Sequence, residues 1–218
     1  MGDTVTRELK DFFSKFKLLD YKKKEIILRG DDSLLGVYFL EKGYVKEYSV
    51  SQEGKELTFI VYKPGDFFPF AGVFNETPNS HFFQVMTSAK IWRAPKKEFI
   101  EFIQDNPSVF LELTNHIVVR LGGLLQRMEH LTFGNAYAKV ASIILICAER
   151  FGKKKEDKII IRVPLTHRDI ASFLGIARET ASVEIKKIER KGLIAYRGGL
   201  LIVKNKEGLE QESLLTSP

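Results

Sequence analysis

Residues 166–192, THRDIASFLGIARETASVEIKKIERKG, constrain the fold of this chain more than any other stretch. Their apolar residues recur at steps of three and four, which predicts two short amphipathic helices. Thr166 and Asp169 have the spacing of a capping box, in which each side chain accepts a hydrogen bond from the other residue's amide. Gly175 suits the left-handed conformation that ends a helix, so it should form the turn between the two. The stretch therefore predicts a helix-turn-helix.

The second helix of this pair should have two different faces. One face is apolar and the other is polar and basic, which is what a helix needs if it is to enter the major groove of DNA. The predicted inner face consists of Ala181, Ile185 and Ile188, and the outer face includes Arg178, Glu179, Ser182, Lys186 and Lys187. This pattern alone fits a solvated pair of helices equally well, so DNA binding needs further support.

Two segments supply that support by resemblance to known proteins. The sequence LTHRDIASFLGIARETAS (165–182) closely resembles the helix-turn-helix of the CRP/FNR family of bacterial transcription regulators. The sequence KGLIAYRGGLLIVKN (191–205) resembles the family's wing, which is two short strands joined here by Arg197, Gly198 and Gly199. The resemblance implies a homodimeric regulator that binds a palindromic operator in double-stranded DNA and acts with RNA polymerase.

The resemblance extends upstream and implies an α+β fold. Short apolar runs between Glu25 and Trp92 are broken by turn signals, which predicts several short strands, and they resemble the family's antiparallel, cyclic-nucleotide-binding β-roll. We therefore expect a chain of four segments. These are a β-roll sensor domain (1–107), a dimerisation helix (108–132), a winged helix-turn-helix domain (133–204) and a flexible tail (205–218).

The family pattern also indicates which residues should contact DNA. An arginine and a glutamate at the start of the family's second helix contact base edges, and Arg178 and Glu179 match them. The place of a second base-reading arginine is taken by Val183, which can offer only an apolar surface to a thymine methyl group. Ala177 precedes this helix and cannot cap it with its side chain. The predicted DNA-contacting residues are Thr166, His167, Arg178, Glu179, Thr180, Ser182, Val183, Lys186 and Arg197.

The β-roll departs from the family members that bind cyclic AMP. Those proteins carry a glycine–glutamate pair for the ribose and an arginine–serine pair for the phosphate, where this chain has Pro69-Phe70 and His81-Phe82. We expect that cyclic AMP is not its effector. The candidate effector pocket is formed by Phe68, Phe70, Phe74, His81 and Phe82, which suits an apolar or aromatic effector. The alternative is a pocket that is closed by its own side chains and takes no effector.

An apolar stripe at nearly heptad spacing follows in residues 108–131. It predicts a dimer interface formed by Leu113, Ile117, Leu121, Leu124, Met128 and Leu131. The same stripe would also fit an ordinary core helix that packs against the β-roll. Gly122 and Gly123 interrupt the helix pattern, which indicates either a close approach of two helices or a bend.

The residues do not favour an enzyme, a metal site or a cofactor. The chain has one cysteine, Cys147, and four histidines that fall on different predicted elements. A cupin-like metal centre in the β-roll would need two or three histidines and a carboxylate close together. An iron–sulfur sensor would need several cysteines. A haem-binding variant would need an axial ligand, and nothing else in the sequence supports His81 in that role.

The chain is expected to be cytoplasmic and not to bind a membrane. Its N-terminal residues are charged where a signal peptide needs an apolar core, and no apolar run approaches the roughly 20 residues of a membrane helix.

The distribution of charge agrees with DNA as a partner. The net charge is +6, and its positive excess lies within residues 134–204, whereas residues 1–133 are balanced. A basic segment that coincides with a helix-turn-helix would meet phosphates there. One alternative stays open, namely a small-molecule sensor whose helix-turn-helix contacts another protein instead of DNA.

Overall fold

The computed structural model describes residues 3–69, 72–74 and 79–214 and divides into two compact units. The first unit comprises Met1–Ser49 and Phe59–Leu124, and the second comprises Val50–Thr58 and Leu125–Pro218. The boundary between the units falls between Leu124 and Leu125, inside the predicted dimerisation helix. The short segment 50–58, which includes the end of one strand of the β-roll and the start of the next, groups with the helix-turn-helix.

The first unit is built around an antiparallel β-roll, as predicted. Two four-stranded sheets have the orders β1-β8-β3-β6 and β2-β7-β4-β5. The elements of this part of the chain are α1 (Asp3–Phe13), β1 (Lys17–Tyr21), β2 (Ile26–Leu28), β3 (Val37–Lys42), β4 (Val45–Val50), β5 (Glu56–Tyr62), β6 (Phe67–Phe68), β7 (Phe82–Val85), β8 (Ala89–Ala94), α2 (Lys96–Asp105) and α3 (Pro107–Thr132).

Aromatic side chains fill the core of the β-roll, and Phe68, a predicted pocket residue, is one of them. Phe68 is fully buried, and its ring stacks on Tyr38 at 5.5 Å and on Phe83 at 5.3 Å. It belongs to an apolar cluster that also contains Tyr62. Because alternate residues of a strand face opposite sides, sequence could not say which phenylalanines face a cavity. Phe68 therefore packs in the core of the β-roll.

Helix α3 corrects part of the predicted dimer interface. Leu113 is only 1 % exposed, because it packs with α1, α2 and the β-roll in the core of its own chain. Ile117, Leu124 and Leu131 are half-buried. The exposed apolar residues of α3 are Phe110, Leu111, Val118, Val119, Leu121, Leu125 and Met128. The predicted stripe therefore faces partly inward. Of its six residues, Leu121 and Met128 are exposed and open to a partner.

Helix α3 contains an apolar run of a length that was not expected from the sequence. By length and composition alone, its residues Pro107–Glu129 would be long and apolar enough to cross a membrane. Its Arg120 side chain, however, forms an ion pair with Asp66 of the β-roll at 2.6 Å, and Leu113 lies in the core. These contacts are those of a helix that is packed within a folded domain.

The second unit holds the winged helix-turn-helix. Its elements after α3 are α4 (Ala136–Phe151), β9 (Gly152–Lys155), β10 (Lys158–Ile161), α5 (His167–Leu174), α6 (Arg178–Arg190), β11 (Ile194–Arg197), β12 (Leu200–Val203) and α7 (Lys206–Gln211). The four strands form one sheet in the order β11-β12-β10-β9. Cys147 of α4 is a core residue of this unit, and burial raises the pKa of its thiol to about 12.

The segment after the wing is folded, contrary to the predicted flexible tail. Asn205 caps α7 by accepting a hydrogen bond from the amide of Gly208, and Leu209 is completely buried. The amide of Leu214 donates to the hydroxyl of Ser142 on α4 at 2.9 Å. One buried leucine and these hydrogen bonds attach a polar segment to the unit. Residues 215–218 lie outside the described residues.

Candidate nucleic-acid interface

The helix-turn-helix has the local structure that the sequence predicts. Thr166 caps α5 by accepting a hydrogen bond from the amide of Asp169, and the Asp169 carboxylate accepts one from the amide of Thr166. Gly175 ends α5 with a φ of 62°, and its amide donates to the carbonyl of Ala171. These short-range interactions fix the angle at which the chain enters α6.

Helix α6 presents its polar face outward. Ala181, Ile185 and Ile188 are completely buried. The opposite face includes Arg178, Glu179, Thr180 and Lys186, which are all exposed, and Val183, which is 52 % exposed. The residue before the helix, Ala177, makes no side-chain hydrogen bond to it. The predicted base-contacting residues thus share one accessible face, and the amides of the first turn have no side-chain cap.

His167 joins the two helices of the motif to the wing. Its Nδ1 lies 2.9 Å from the hydroxyl of Ser182 on α6, and its ring lies 5.5 Å from that of Tyr196 on β11. Burial is the main reason why the pKa of His167 lies below its ordinary value of 6.5. The charge of Glu189 opposes this shift, and those of Lys186 and Arg178 add to it.

A cleft of about 490 Å³ lies at this end of the motif. It is lined by Thr166, His167, Arg168 and Arg178. Three of these four residues were predicted from sequence, and Arg168 was missed. The signal that could have found Arg168 is its position in the first turn of α5, on the opposite side from the buried Ile170. Two guanidinium groups and an imidazole around one cleft make it suited to an anion such as a phosphate.

The wing has the predicted turn. Gly198 and Gly199 adopt φ values of 59° and 77°, which glycine reaches without steric strain. They connect β11 to β12, where Arg197 pairs with Leu200. Arg197 is exposed at the tip of this turn.

The segment 50–58 packs against the helix-turn-helix within the second unit. The hydroxyls of Thr58 and Ser172 form a hydrogen bond of 2.7 Å, and both residues are buried. Arg127 of α3 donates to the carbonyls of Thr58 and Phe173. The carboxylate of Glu56 lies 3.2 Å from the guanidinium of Arg168. Sequence reasoning missed these contacts because 114 residues separate Thr58 from Ser172.

Arg127 connects these elements from a partly buried position. Burial lowers the pKa of its guanidinium to about 10, which still leaves it charged at neutral pH. A charged donor that bonds two backbone carbonyls is a strong hydrogen-bonding group. The segment 50–58 and α5 are therefore both anchored to the same residue of α3.

The described residues of the candidate effector pocket have different surroundings. Phe68 lies in the core, whereas Phe74 is 45 % exposed. Phe82 stacks on Tyr48 at 5.3 Å. His81 is half-buried, and its Nδ1 lies 2.7 Å from the carboxylate of Glu47. Phe70, the remaining predicted residue, lies outside the described residues.

A buried polar cluster, which sequence reasoning missed, continues from His81 into the first unit. The other carboxylate oxygen of Glu47 accepts a hydrogen bond of 2.6 Å from the hydroxyl of Tyr62, which is completely buried. The ring of Tyr62 lies 5.1 Å from the guanidinium of Arg120, which pairs with Asp66 at 2.6 Å. Nothing in the one-dimensional pattern links these residues, because each lies on a different element.

Comparisons with known protein families match both parts of the chain. A model described as "Cyclic nucleotide-binding domain" matches residues 18–106, and one described as "Crp-like helix-turn-helix domain" matches residues 138–212. A "cAMP-activated global transcriptional regulator CRP" from Pasteurella multocida is 25% identical over 201 residues, which cover 92% of this chain and 96% of the relative. An "Anaerobic regulatory protein" from Haemophilus influenzae is 21% identical over 86% of this chain and 73% of its own length.

Solved structures share the same fold at low sequence identity. FixK2 from Bradyrhizobium japonicum superposes with a TM-score of 0.79 at 19% identity, and covers 93% of this chain and 99% of its own. A mutant of CooA from Carboxydothermus hydrogenoformans gives a TM-score of 0.76 at 23% identity, with 92% and 89% covered. The β-roll, the long helix and the winged helix-turn-helix are therefore one recurring architecture.

Proposed function

Since this chain belongs to the CRP/FNR family of transcription regulators, we propose that it acts in the cytoplasm as a homodimer that binds a palindromic operator and contacts RNA polymerase at target promoters. The observation that supports this function best is the helix α6. Three of its residues are completely buried, and the opposite face, which begins with Arg178 and Glu179, is exposed. A helix that is anchored on one side and polar on the other can be inserted into a major groove.

The reading of bases follows from the chemistry of the exposed face. Arg178 can donate two hydrogen bonds to O6 and N7 of a guanine, and Glu179 can accept one from a cytosine amine. Val183 can contact a thymine methyl group but can form no hydrogen bond to a base. The preferred half-site should therefore be less stringent at the base pair that faces Val183.

Replacing Arg178 with alanine should weaken specific DNA binding by about 1–3 kcal/mol, or roughly 5- to 150-fold in dissociation constant. A gel-shift titration against the promoter region of the protein's own gene measures this effect. Arg7→Ala is the matched control, because Arg7 is exposed on α1 and its loss changes the net charge equally. If both variants bound as tightly as the unmodified chain, Arg178 would not read DNA.

The proposed dimer uses the exposed face of α3. Leu111, Val118 and Leu125 repeat at intervals of seven residues, and Leu121 and Met128 fall three residues after Val118 and Leu125. These are the a and d positions of a heptad, which pack into a second helix in a coiled coil. A Cβ atom placed on Gly122 or Gly123 would meet nothing within 4 Å in the same chain. By this assignment Gly122 is the e position beside Leu121, so it leaves room for a second helix next to the seam, whereas Gly123 is an f position on the opposite side.

Dimerisation would also explain how two recognition helices engage one operator. The family's two-fold symmetry places two half-sites one helical turn apart, or about 10 base pairs centre to centre. Each half-site then contributes to the affinity of the whole complex. The apolar residues of this seam are exposed in the single chain, which leaves them available to a second copy and supports the proposal.

We expect that neither cyclic AMP nor cyclic GMP binds this chain at micromolar concentration. His81 occupies the place of the family's phosphate-binding arginine, and its Nδ1 already lies 2.7 Å from the Glu47 carboxylate. A second anion brought to this pair would be repelled by Glu47. Phe82, in place of the serine, offers no hydrogen bond and stacks on Tyr48. A micromolar dissociation constant for either nucleotide in isothermal titration calorimetry would contradict this expectation.

A further inference from the structure

We propose that DNA binding by this chain is coupled to the uptake of one proton at His167 in each protomer, so that its affinity for the operator rises as the pH falls. The inference rests on the DNA-binding function proposed above and specifies how that function is regulated. It concerns one imidazole that lies in the cleft beside Arg178. Its support comes from the position of the ring, from its hydrogen bond and from the charges around it.

The imidazole of His167 is held in place by three elements. It belongs to the first residue of α5, its Nδ1 lies 2.9 Å from the Ser182 hydroxyl of α6, and its ring lies 5.5 Å from Tyr196 of β11. Because Nδ1 is engaged with Ser182, an anion in the cleft would meet Nε2. The ring is thus positioned before DNA arrives, and no rearrangement is needed for contact.

The partner of Nδ1 is compatible with both protonation states. A serine hydroxyl can donate a hydrogen bond and can also accept one. When the imidazole is neutral with its proton on Nε2, Ser182 donates to Nδ1. When the imidazole is protonated on both nitrogens, the hydroxyl rotates and accepts from Nδ1. Protonation therefore does not break the link between α5 and α6.

The surroundings favour the neutral form in the free protein. Burial lowers the pKa of His167, and the nearby cations Lys186 and Arg178 lower it further, against an opposing contribution from Glu189. Arg168 lines the same cleft, where its guanidinium lies 3.2 Å from the carboxylate of Glu56. Asp169 of α5 lies in the same turn, where its carboxylate is engaged in the capping box. Tyr196 faces the ring as a neutral phenol, because burial raises its pKa.

A DNA phosphate in the cleft would reverse this balance. A negative charge within about 4–6 Å favours the charged form of an imidazole and raises its pKa. A group that is neutral when free and charged when bound takes up a proton on binding, and mass action then strengthens binding as the proton concentration increases. Uptake of one proton per protomer limits the change in operator affinity to about tenfold per pH unit for each protomer.

The test is a pH series of operator affinity for the full chain. Fluorescence anisotropy from about pH 5.5 to about pH 8, at constant ionic strength, should show at least about a fivefold gain in affinity toward low pH. His167→Gln keeps a hydrogen-bonding side chain that does not titrate, so its affinity should vary less with pH. His167→Arg carries a permanent charge and should bind tightly over the whole range. His116→Gln is the matched control, because it removes a histidine that lies 3.6 Å from Asp66 in the first unit, and it should keep the unmodified slope.

A second measurement needs no substitution. The imidazole signals of His167 in a nuclear magnetic resonance titration should show a higher pKa in the DNA complex than in the free protein. Equal pKa values in the two states would overturn the inference, and so would equal pH slopes for the unmodified chain and His167→Gln. In either case specific binding itself would remain, and with it the proposed function. If no variant bound specific DNA at any pH, both the inference and the proposed function would fail.

Discussion

Replacing Arg120 with methionine should lower the free energy of unfolding of the β-roll unit by about 3–5 kcal/mol, because it removes the arginine that pairs with the buried carboxylate of Asp66 and leaves His116 as the more distant basic neighbour, at 3.6 Å. Arg120 lies on α3, and its guanidinium is 2.6 Å from the carboxylate of Asp66 in the turn before β6. The two side chains are 9% and 4% exposed. An ion that is removed from water to this extent is stable only while its partner compensates for the lost hydration.

Urea unfolding that is followed by tryptophan fluorescence measures this effect, because it reports on the unfolding of the β-roll unit. Trp92 is the only tryptophan of the sequence, and it lies in the core of the β-roll. The control is the double variant Arg120→Met with Asp66→Asn, which removes both charges but keeps an oxygen that can accept the amide of Lys63. It should recover most of the lost stability. A cost below about 1 kcal/mol for the single variant would contradict the account.

Leu125→Asp should dissociate the dimer and weaken operator binding by about 100-fold or more, since each protomer would then bind one half-site alone. Leu125 is 55 % exposed in the single chain and occupies the centre of the heptad seam with Val118 and Met128. Two aspartates that face each other in a coiled coil would be desolvated and would repel one another. Sedimentation velocity at micromolar concentration measures the oligomeric state.

Val119→Asp is the control, because it introduces the same charge at an exposed residue of α3 that lies outside the seam. Val119 is 66 % exposed, but it lies one residue beyond the a position of Val118 and faces away from the seam. Its dimer should therefore persist. A substitution at Leu124 is less informative, because that side chain is half-buried in its own chain and its loss would disturb the fold as well. If Leu125→Asp remained a dimer, the seam would not be the interface.

The helix-turn-helix could be predicted from sequence because its determinants are short-range. The capping box of Thr166 and Asp169, the left-handed Gly175 and the inner face of α6 all depend on residues within a few positions of each other. Propensity and periodicity describe such interactions directly. The wing turn at Gly198 and Gly199 was confirmed for the same reason.

For α3 and β6, the sequence pattern could not predict which face of the element is covered, or by which part of the protein. An apolar stripe at helical spacing indicates a buried face, but it does not say whether the same chain or a second chain covers it. Leu113 is covered by its own core, whereas Leu111 is 70 % exposed. The same ambiguity applies to the strand residue Phe68, because the sequence does not show which side of the sheet it faces. Which side of each element is covered depends on packing between distant parts of the chain.

Contacts between remote segments were also beyond the sequence. The hydrogen bond between Thr58 and Ser172, the position of Arg127 and the pairing of Asp66 with Arg120 all join residues on different elements. Their polar side chains look like ordinary surface residues in one dimension. The folded segment after the wing was missed because Leu209 is one buried leucine in an otherwise polar stretch.

Selection of bound duplexes from a random DNA pool tests the central claim most directly. The full chain should enrich an inverted repeat whose half-site centres are about 10 base pairs apart. Each half-site should contain a guanine opposite Arg178 and either no preference or a thymine opposite Val183. The same selection with Val183→Arg should add a guanine at that second position. A pool that remained random after repeated rounds would contradict the claim that this chain is a sequence-specific DNA-binding regulator.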